Sequence, residues 1–399
     1  MGRNKLLVGS LAVLISLVGV TLMRVMSTVP QLGKAVETSP KEPDSASLSE
    51  SVRSLKSRLR EIRRPVEGLL RRLEGQRESV SGSKQLLPKN FQLLWHENAP
   101  REDRIFVMMV SFRSQTCRRA VNALFANAKK ADTVFLGLVE VHQPEDEPCI
   151  DPQFALCNQS NFCPTDNIRV RRFPVSEWQG ASHARAISSE LFHNEGFFLL
   201  LSPLAIVLPN WDEVVKGLYS AARRSGGVSS PKLVLTGHHS GGILCGGKVT
   251  ERDARRRIEF EARRMNLSSP LLVPFISHDF LFSESSLLAE VPPDPLLRFI
   301  DPWDDALLTA VRLFSNGYTI YNIGPPVSTE GTENVGSAAP SVTPRETLER
   351  IDALIGVAPA QKRFDPGRFG LGGLKTAMQY FLAAGIDVEK RTVKDWCAK

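Results

Sequence analysis

From Arg104 onward, short apolar runs alternate with helical patterns, and this alternation restricts the chain to an α/β fold. RIFVMMVSF (104–112) and TVFLGLVE (133–140) read as buried strands, because apolar residues occupy nearly every position. Between them Val121, Leu124, Phe125 and Ala128 recur at helical spacing. A strand–helix–strand unit of this kind implies parallel strands joined by a right-handed crossover. The alternation continues with a helix at 181–192, a buried strand from Phe197 to Leu201, a helix after Trp211-Asp212 and the strand KLVLTG (232–237). In DDALLTAVRLF (304–314), Leu307, Ala310, Val311 and Phe314 share one helical face. Residues 327–343 are rich in Ser, Thr, Gly and Pro and read as a loop. The tail from Pro344 is helical around Leu348, Ile351 and Leu354.

The N-terminal part obeys different rules. Leu6 to Met23 carries no charge and approaches the ~17–25 residues that span a bilayer. Arg3 and Lys5 precede it, while Glu37, Glu42 and Asp44 dilute the positive charge behind it, which favours a cytoplasmic N-terminus. A cleaved secretory signal is the alternative, although no small-x-small cleavage site follows. Residues 1–26 therefore read as tail and signal anchor, 27–100 as linker and helical stem, and 101–399 as a lumenal domain. In the stem, Leu48, Val52, Leu55, Leu59, Ile62, Val66, Leu69 and Leu73 alternate spacings of four and three, the rule of a coiled-coil seam. Pro65 interrupts it. The stem reads as a possible homodimer contact, or as one amphipathic helix on the domain or the lipid. Cys117, Cys149, Cys157, Cys163, Cys245 and Cys397 lack zinc-module spacing and suit disulfides in the secretory route. Asn158 and Asn266 open glycosylation sequons. The net charge of +7 comes with no nucleic-acid-binding signature, so nucleic acid is not an expected partner.

Several motifs are weaker. GILCGGKVT has the glycine and lysine spacing of a phosphate loop, but Val249 stands where Ser or Thr must hold magnesium, so a glycine-rich surface turn is expected. His238-His239 point to opposite sides of a strand end, with no carboxylate near in sequence. His278-Asp279 read as polar loop residues. Arg252, Arg255, Arg256, Arg257, Arg263 and Arg264, interleaved with Glu251, Asp253, Glu259 and Glu261, read as the solvated face of a helix. No nucleophile motif is present.

Taken in order, IFVMMVSFRSQTC (105–117), GASHAR (180–185), NEGFFLLLSPLAIVLPNWDE (194–213), EVPPDPLLRFI (290–300), AVRLFSNGY (310–318) and RFGLGGLKTAMQYFLAAGID (368–387) resemble one family, the polypeptide α-N-acetylglucosaminyltransferases. The likeness covers about residues 104–390. It implies a GT-A-like, doubly wound, mostly parallel sheet with a nucleotide-sugar crevice at the strand ends. It also implies a Golgi-type, single-pass type II membrane protein moving N-acetylglucosamine from a UDP-sugar donor to a hydroxyl of a polypeptide acceptor. In the family, Asp-Ser-His after the strand near Leu201 ligates a divalent metal (Mn or Mg) on the diphosphate. Here Ser202, Pro203 and Leu204 stand instead, and these side chains are poor donors for a hard cation. The family's late metal-binding histidine falls near Thr329-Glu330. Counting back from Arg312 places Asp304 and Asp305 at the acceptor side, with Asp305 the catalytic carboxylate. Without a metal, Arg113 and Arg185 are the expected diphosphate contacts, with Ser111 and Asp304 completing the substrate-binding set. The lost metal motif also supports a second reading, a catalytically inactive relative that binds a glycan, a nucleotide or a partner.

Overall fold

The structure is a computed structural model that describes residues 101–398 except 152, 155–156, 158–161, 226–231, 239–241, 253–254, 266–268, 330–342 and 356–365. All of these belong to one of the two units into which the chain divides, Asn90–Lys399. The expected anchor, linker and stem, and the sequon positions Asn158 and Asn266, lie outside the described residues. Among the described residues no helix is long and apolar enough to cross a membrane.

The expected alternation forms. Strands β1 (Arg101–Phe112), β2 (Val134–His142), β3 (Ile168–Pro174) and β4 (Glu195–Leu201) are interspersed with helices α1 (Cys117–Ala126) and α2 (Ala181–Ser189). A short β5 (Ala205–Val207), helix α3 (Trp211–Ser225) and β6 (Leu233–Gly237) follow. Then come β7 (Ile243–Arg252), β8 (Arg255–Arg263), β9 (Leu271–Leu272) and β10 (Phe280–Glu284). Helix α4 (Pro302–Ser315), β11 (Thr319–Asn322), β12 (Val327–Thr329), α5 (Arg345–Ile355) and α6 (Ala377–Ala384) complete the main elements. The large sheet runs β3-β2-β1-β4-β10-β6-β11-β9. Neighbours among β3, β2, β1 and β4 are parallel, as are β6 and β11, while β10 is antiparallel to both β4 and β6. The fold is mixed α/β with a mostly parallel sheet.

Alternate residues of β1 and β4 feed separate cores on the two faces. Phe106, Met108, Phe198 and Leu200 pack with Val311 of α4, Tyr380 of α6 and Phe260 of β8. Ile105, Val107, Met109, Leu199 and Leu201 pack with Val121 and Leu124 of α1 and with Trp211 and Val215 of α3. Trp211 is wholly buried and its indole Nε1 donates to the Leu124 carbonyl at 2.9 Å. Each such large apolar side chain stabilises the fold by roughly 1.5–3 kcal/mol.

Two local expectations are overturned. The arginine-rich stretch is not a helix: β7 and β8 form an antiparallel hairpin. Ile258 and Phe260 alternate toward the core, whereas Arg256, Glu261 and Arg263 face out. Period-two burial of two apolar residues outweighs the helix propensity of the charged ones. The glycine-rich GILCGGKVT is likewise strand, not surface turn, with Ile243, Leu244 and Cys245 buried. Gly247 belongs there because a Cβ would sit 2.9 Å from the Glu259 carbonyl oxygen.

All six cysteines pair, Cys117 with Cys149, Cys157 with Cys163 and Cys245 with Cys397. The first ties α1 to the loop after β2; the last ties the chain's end to β7.

Candidate active site

Strand order reverses at β1. From it the chain moves outward to β2 and β3, then returns to place β4 on the other side. The loops after β1 and β4 diverge there, and in open α/β sheets such a switch point, at the carboxyl ends of the strands, is where ligands bind. Two adjoining cavities occupy that edge. A cleft of about 850 Å³ lies over the ends of β1 and β2, lined by Ser111, Phe112, Arg113, Glu140 and Asp146 among others. A second of about 330 Å³ lies over the end of β4, lined by Trp178, Arg185, Leu204, His278 and Asp305 among others. Phe112 and Ser114 line both, so the two form one track. Each lies within the roughly 300–1,000 Å³ range of ligand sites.

In the first cleft Ser111 is buried in the wall. Arg113 sits just past β1 at φ 48°, with its amide donating to Val141 at 2.9 Å. Its guanidinium makes a two-pronged contact with Asp146, at 2.8 and 2.9 Å. That hydrogen bond holds the Asp146 carboxyl below the usual carboxylate range, helped by the Gln143 amide. An exposed pair of this kind contributes little stability, so a phosphate can exchange for Asp146 at small cost. Glu140 is occupied otherwise: buried, it accepts from the Cys149 amide at 2.6 Å and Arg172 Nε at 2.8 Å.

The second cavity is built on the start of α4. Asp301 caps that helix by accepting from the Trp303 amide at 3.0 Å, with Pro302 in the first turn. Asp304 and Asp305 follow in the same turn, where the helix dipole favours carboxylates. They diverge because successive helical residues lie about 100° apart. Asp305 faces the cavity and accepts from Arg185 Nη2 of α2; both are buried. Asp304 turns the other way, toward the hairpin, where Arg257 Nε approaches it at 3.7 Å. Arg257 Nη1 also donates to Asp301 at 2.8 Å. Asp304 therefore does not line the track, and its expected place in the substrate-binding set is corrected. The buried Arg257 likewise departs from the expected solvated arginine face.

Ser202-Pro203-Leu204 is a closed turn. The Ser202 amide donates to the Asp279 carbonyl at 2.8 Å, its hydroxyl accepts from the Leu204 amide at 3.3 Å, and its carbonyl accepts from Ala205 at 3.0 Å. Thr116 Oγ1 donates to the Pro203 carbonyl at 2.9 Å, stitching this turn to the loop after β1. With the hydroxyl committed to its own turn and Leu204 apolar, these positions do not fit the metal that the resemblance implies. Among the described residues no group of three or more His, Cys, Asp or Glu side chains is arranged to hold an ion.

His278 is the residue that motif reading undervalued. It precedes β10, lines the track beside Arg185 and Asp305, and places Nε2 3.3 Å from Thr309 Oγ1. Desolvation and the Arg185 charge push its imidazole down to about 4, against opposition from Asp305 and Asp279. The ring is neutral at physiological pH. Because the folded value lies below the ordinary ~6.5, its contribution to stability is complete above about pH 6.5 and is lost as pH falls toward 4. Equilibrium unfolding of the wild type and His278→Gln across that window is expected to diverge by on the order of 3 kcal/mol, with the variant the less pH-sensitive. Parallel pH profiles would refute this. No short-range pattern marks His278, since only the insertion of β10 between β4 and β6 brings it here.

A crevice at the switch point of a mostly parallel sheet, with an arginine in each half, defines an open α/β protein whose ligand site lies at the strand ends. The sequence profile of the glycosyltransferase (GlcNAc) family matches residues 104–166 and 154–327. The chain belongs to this family. No curated protein matches its sequence. Solved structures resemble it loosely. GalNAc-T7 with UDP, GalNAc and Mn2+ is 12% identical with a TM-score of 0.49, over 74% of this chain and 59% of that one. The chain thus spans less than two thirds of GalNAc-T7. TarS 1-349 from S. aureus in complex with UDP-GlcNAc is 13% identical at a TM-score of 0.33, over 66% and 68% of the two chains. The mannosyltransferase PcManGT from Pyrobaculum calidifontis, with GDP-Man and Mn2+, is 12% identical at 0.35, over 72% and 76%.

Proposed function

We propose that the chain transfers N-acetylglucosamine from a UDP-sugar to a hydroxyl of a polypeptide acceptor. The nucleotide occupies the wide cleft over β1 and β2, the sugar sits in the cavity over β4, and the diphosphate lies between, near Phe112 and Ser114. The observation that carries this reading is the shared lining of the two cavities, which gives an elongated donor one path along the strand ends. Ser111 and Arg113 serve the nucleotide half. Asp305, steered by Arg185, accepts a hydrogen bond from the incoming hydroxyl. Three disulfides among the described residues, together with the uncharged run from Leu6 to Met23, support a single-pass type II protein whose transferase unit lies in the Golgi or another secretory lumen.

Thermal unfolding of the full chain tests the donor. UDP at a hundredfold excess over its Kd is expected to stabilise it by about 2.7 kcal/mol, with GDP giving much less. Incubation with UDP-GlcNAc and a Thr-rich peptide is expected to add one N-acetylhexosamine mass to the peptide. No shift with millimolar UDP would refute the donor assignment.

A further inference from the structure

We propose that a small cavity adjoining the crevice is an anion site, in which Arg312 of α4 holds one chloride-sized monovalent ion. The site does not depend on the donor reading. Its starting point is an excess of buried positive charge. The cavity, of about 40 Å³, is lined by Arg185, Arg312, Asp294 and Asp305 among apolar side chains such as Phe198 and Leu288. Both carboxylates are taken. Asp305 accepts from Arg185 Nη2, and Asp294 accepts from Arg350 Nε of α5 at 2.7 Å and from the Leu296 amide at 3.0 Å. These arginines and aspartates, Arg312 included, are all buried. Among the described residues no further carboxylate lines the cavity. Arg312 is the charge in excess.

Arg312 also has a donor to offer. Its Nη1 donates to the Pro292 carbonyl at 2.8 Å and its Nε to the Gly370 carbonyl at 3.4 Å, which fixes the plane of the guanidinium. Its Nη2 is buried and has no hydrogen-bond partner among the described residues. An unpaired donor on a buried charge is strongly unfavourable unless a counter-ion meets it. Burial pushes the guanidinium down to about 10, with Asp294 and Asp305 opposing the fall and Arg350 and Arg368 adding to it. It therefore stays charged at physiological pH. Thr309 lies three residues before Arg312, on the same side of α4, and lines the same cavity. Its Oγ1 is 3.3 Å from His278 Nε2. When the imidazole donates there, the hydroxyl hydrogen is left for the ion.

Size and access choose the occupant. One water needs roughly 10–15 Å³ of such space, so a chloride fits and a tetrahedral oxyanion does not. A neutral water would satisfy Nη2 and leave the excess charge in place. The cavity shares Arg185, Leu200, His278 and Asp305 with the one over β4, which gives an ion its way in from the crevice.

The test is urea unfolding of the full chain without nucleotide, with sodium chloride replacing sodium gluconate at constant ionic strength. Each tenfold rise in chloride above its Kd is expected to raise the unfolding free energy by about 1.4 kcal/mol, and bromide is expected to act alike. Arg312→Met, which keeps a long side chain and removes its charge, is expected to abolish the dependence. Where that variant does not fold, Thr309→Val decides, with chloride expected to bind at least tenfold more weakly. Wild-type stability that ignores chloride would mean a water-filled cavity and would overturn the site. A dependence unchanged in the deciding variant would put chloride elsewhere on the chain and overturn the site equally.

Discussion

Asp305→Ala is expected to abolish sugar transfer and to cost about 3–5 kcal/mol of stability, because it leaves the buried Arg185 guanidinium without its partner. The stability loss alone would not distinguish a chemical role from a structural one, so the informative comparison is with the double variant Arg185→Gln/Asp305→Asn. Removing both charges takes away the uncompensated ion, and replacing a buried pair by neutral groups is frequently close to neutral for stability. Urea unfolding of the double variant is therefore expected to return most of the lost stability, while transfer stays at least a thousandfold down. Recovery of transfer together with stability would show that the pair only holds α2 against α4 and would remove Asp305 from the chemistry.

Gly180→Ala is the second large effect. Gly180 precedes α2 at φ 99° and ψ 164°, a region essentially reserved for glycine and worth roughly 1–3 kcal/mol of strain in any other residue. A Cβ there would also lie 2.6 Å from the Phe299 nitrogen, a backbone atom that cannot swing aside. Phe299 itself has φ 48°, and its amide donates to the Gln179 carbonyl at 2.9 Å. The contact joins the start of α2 to the segment leading into α4, the two elements that carry Arg185 and Asp305. Strain and overpacking together are expected to cost about 2–6 kcal/mol. A midpoint in denaturant close to that of the wild type would contradict the geometry. Ser182→Ala makes a useful contrast: its hydroxyl donates to the Asp294 carbonyl at 3.2 Å, and losing that bond costs about 1 kcal/mol.

The parts of the fold legible in the sequence are those whose burial follows from neighbours in the chain. β1, β2 and β4 are continuous apolar runs, and α4 carries Leu307, Ala310 and Val311 at helical spacing, so local hydrophobicity alone determines their type and fixes a mostly parallel α/β sheet. The same periodicity foresees that Arg113 and Ser202 follow strand ends. It fails in β8, where Ile258 and Phe260 are the apolar residues that mark the inward face among many charges and the core they enter is made by distant residues.

The site divides along the same line. That Ser202, Pro203 and Leu204 are poor donors for a hard cation follows from their side-chain chemistry, which is independent of what surrounds them. Only the tertiary structure decided which of two adjacent aspartates faces the crevice, since α4 needs the hairpin's Arg257 on one side and Arg185 on the other to make them different. It also decided that His238, Asp279 and Ser202 meet at one sheet edge, because β10 enters antiparallel between β4 and β6 and joins residues dozens of positions apart. A chain can state its own strands and helices, but strand order is a non-local free-energy choice made when the cores on both faces close.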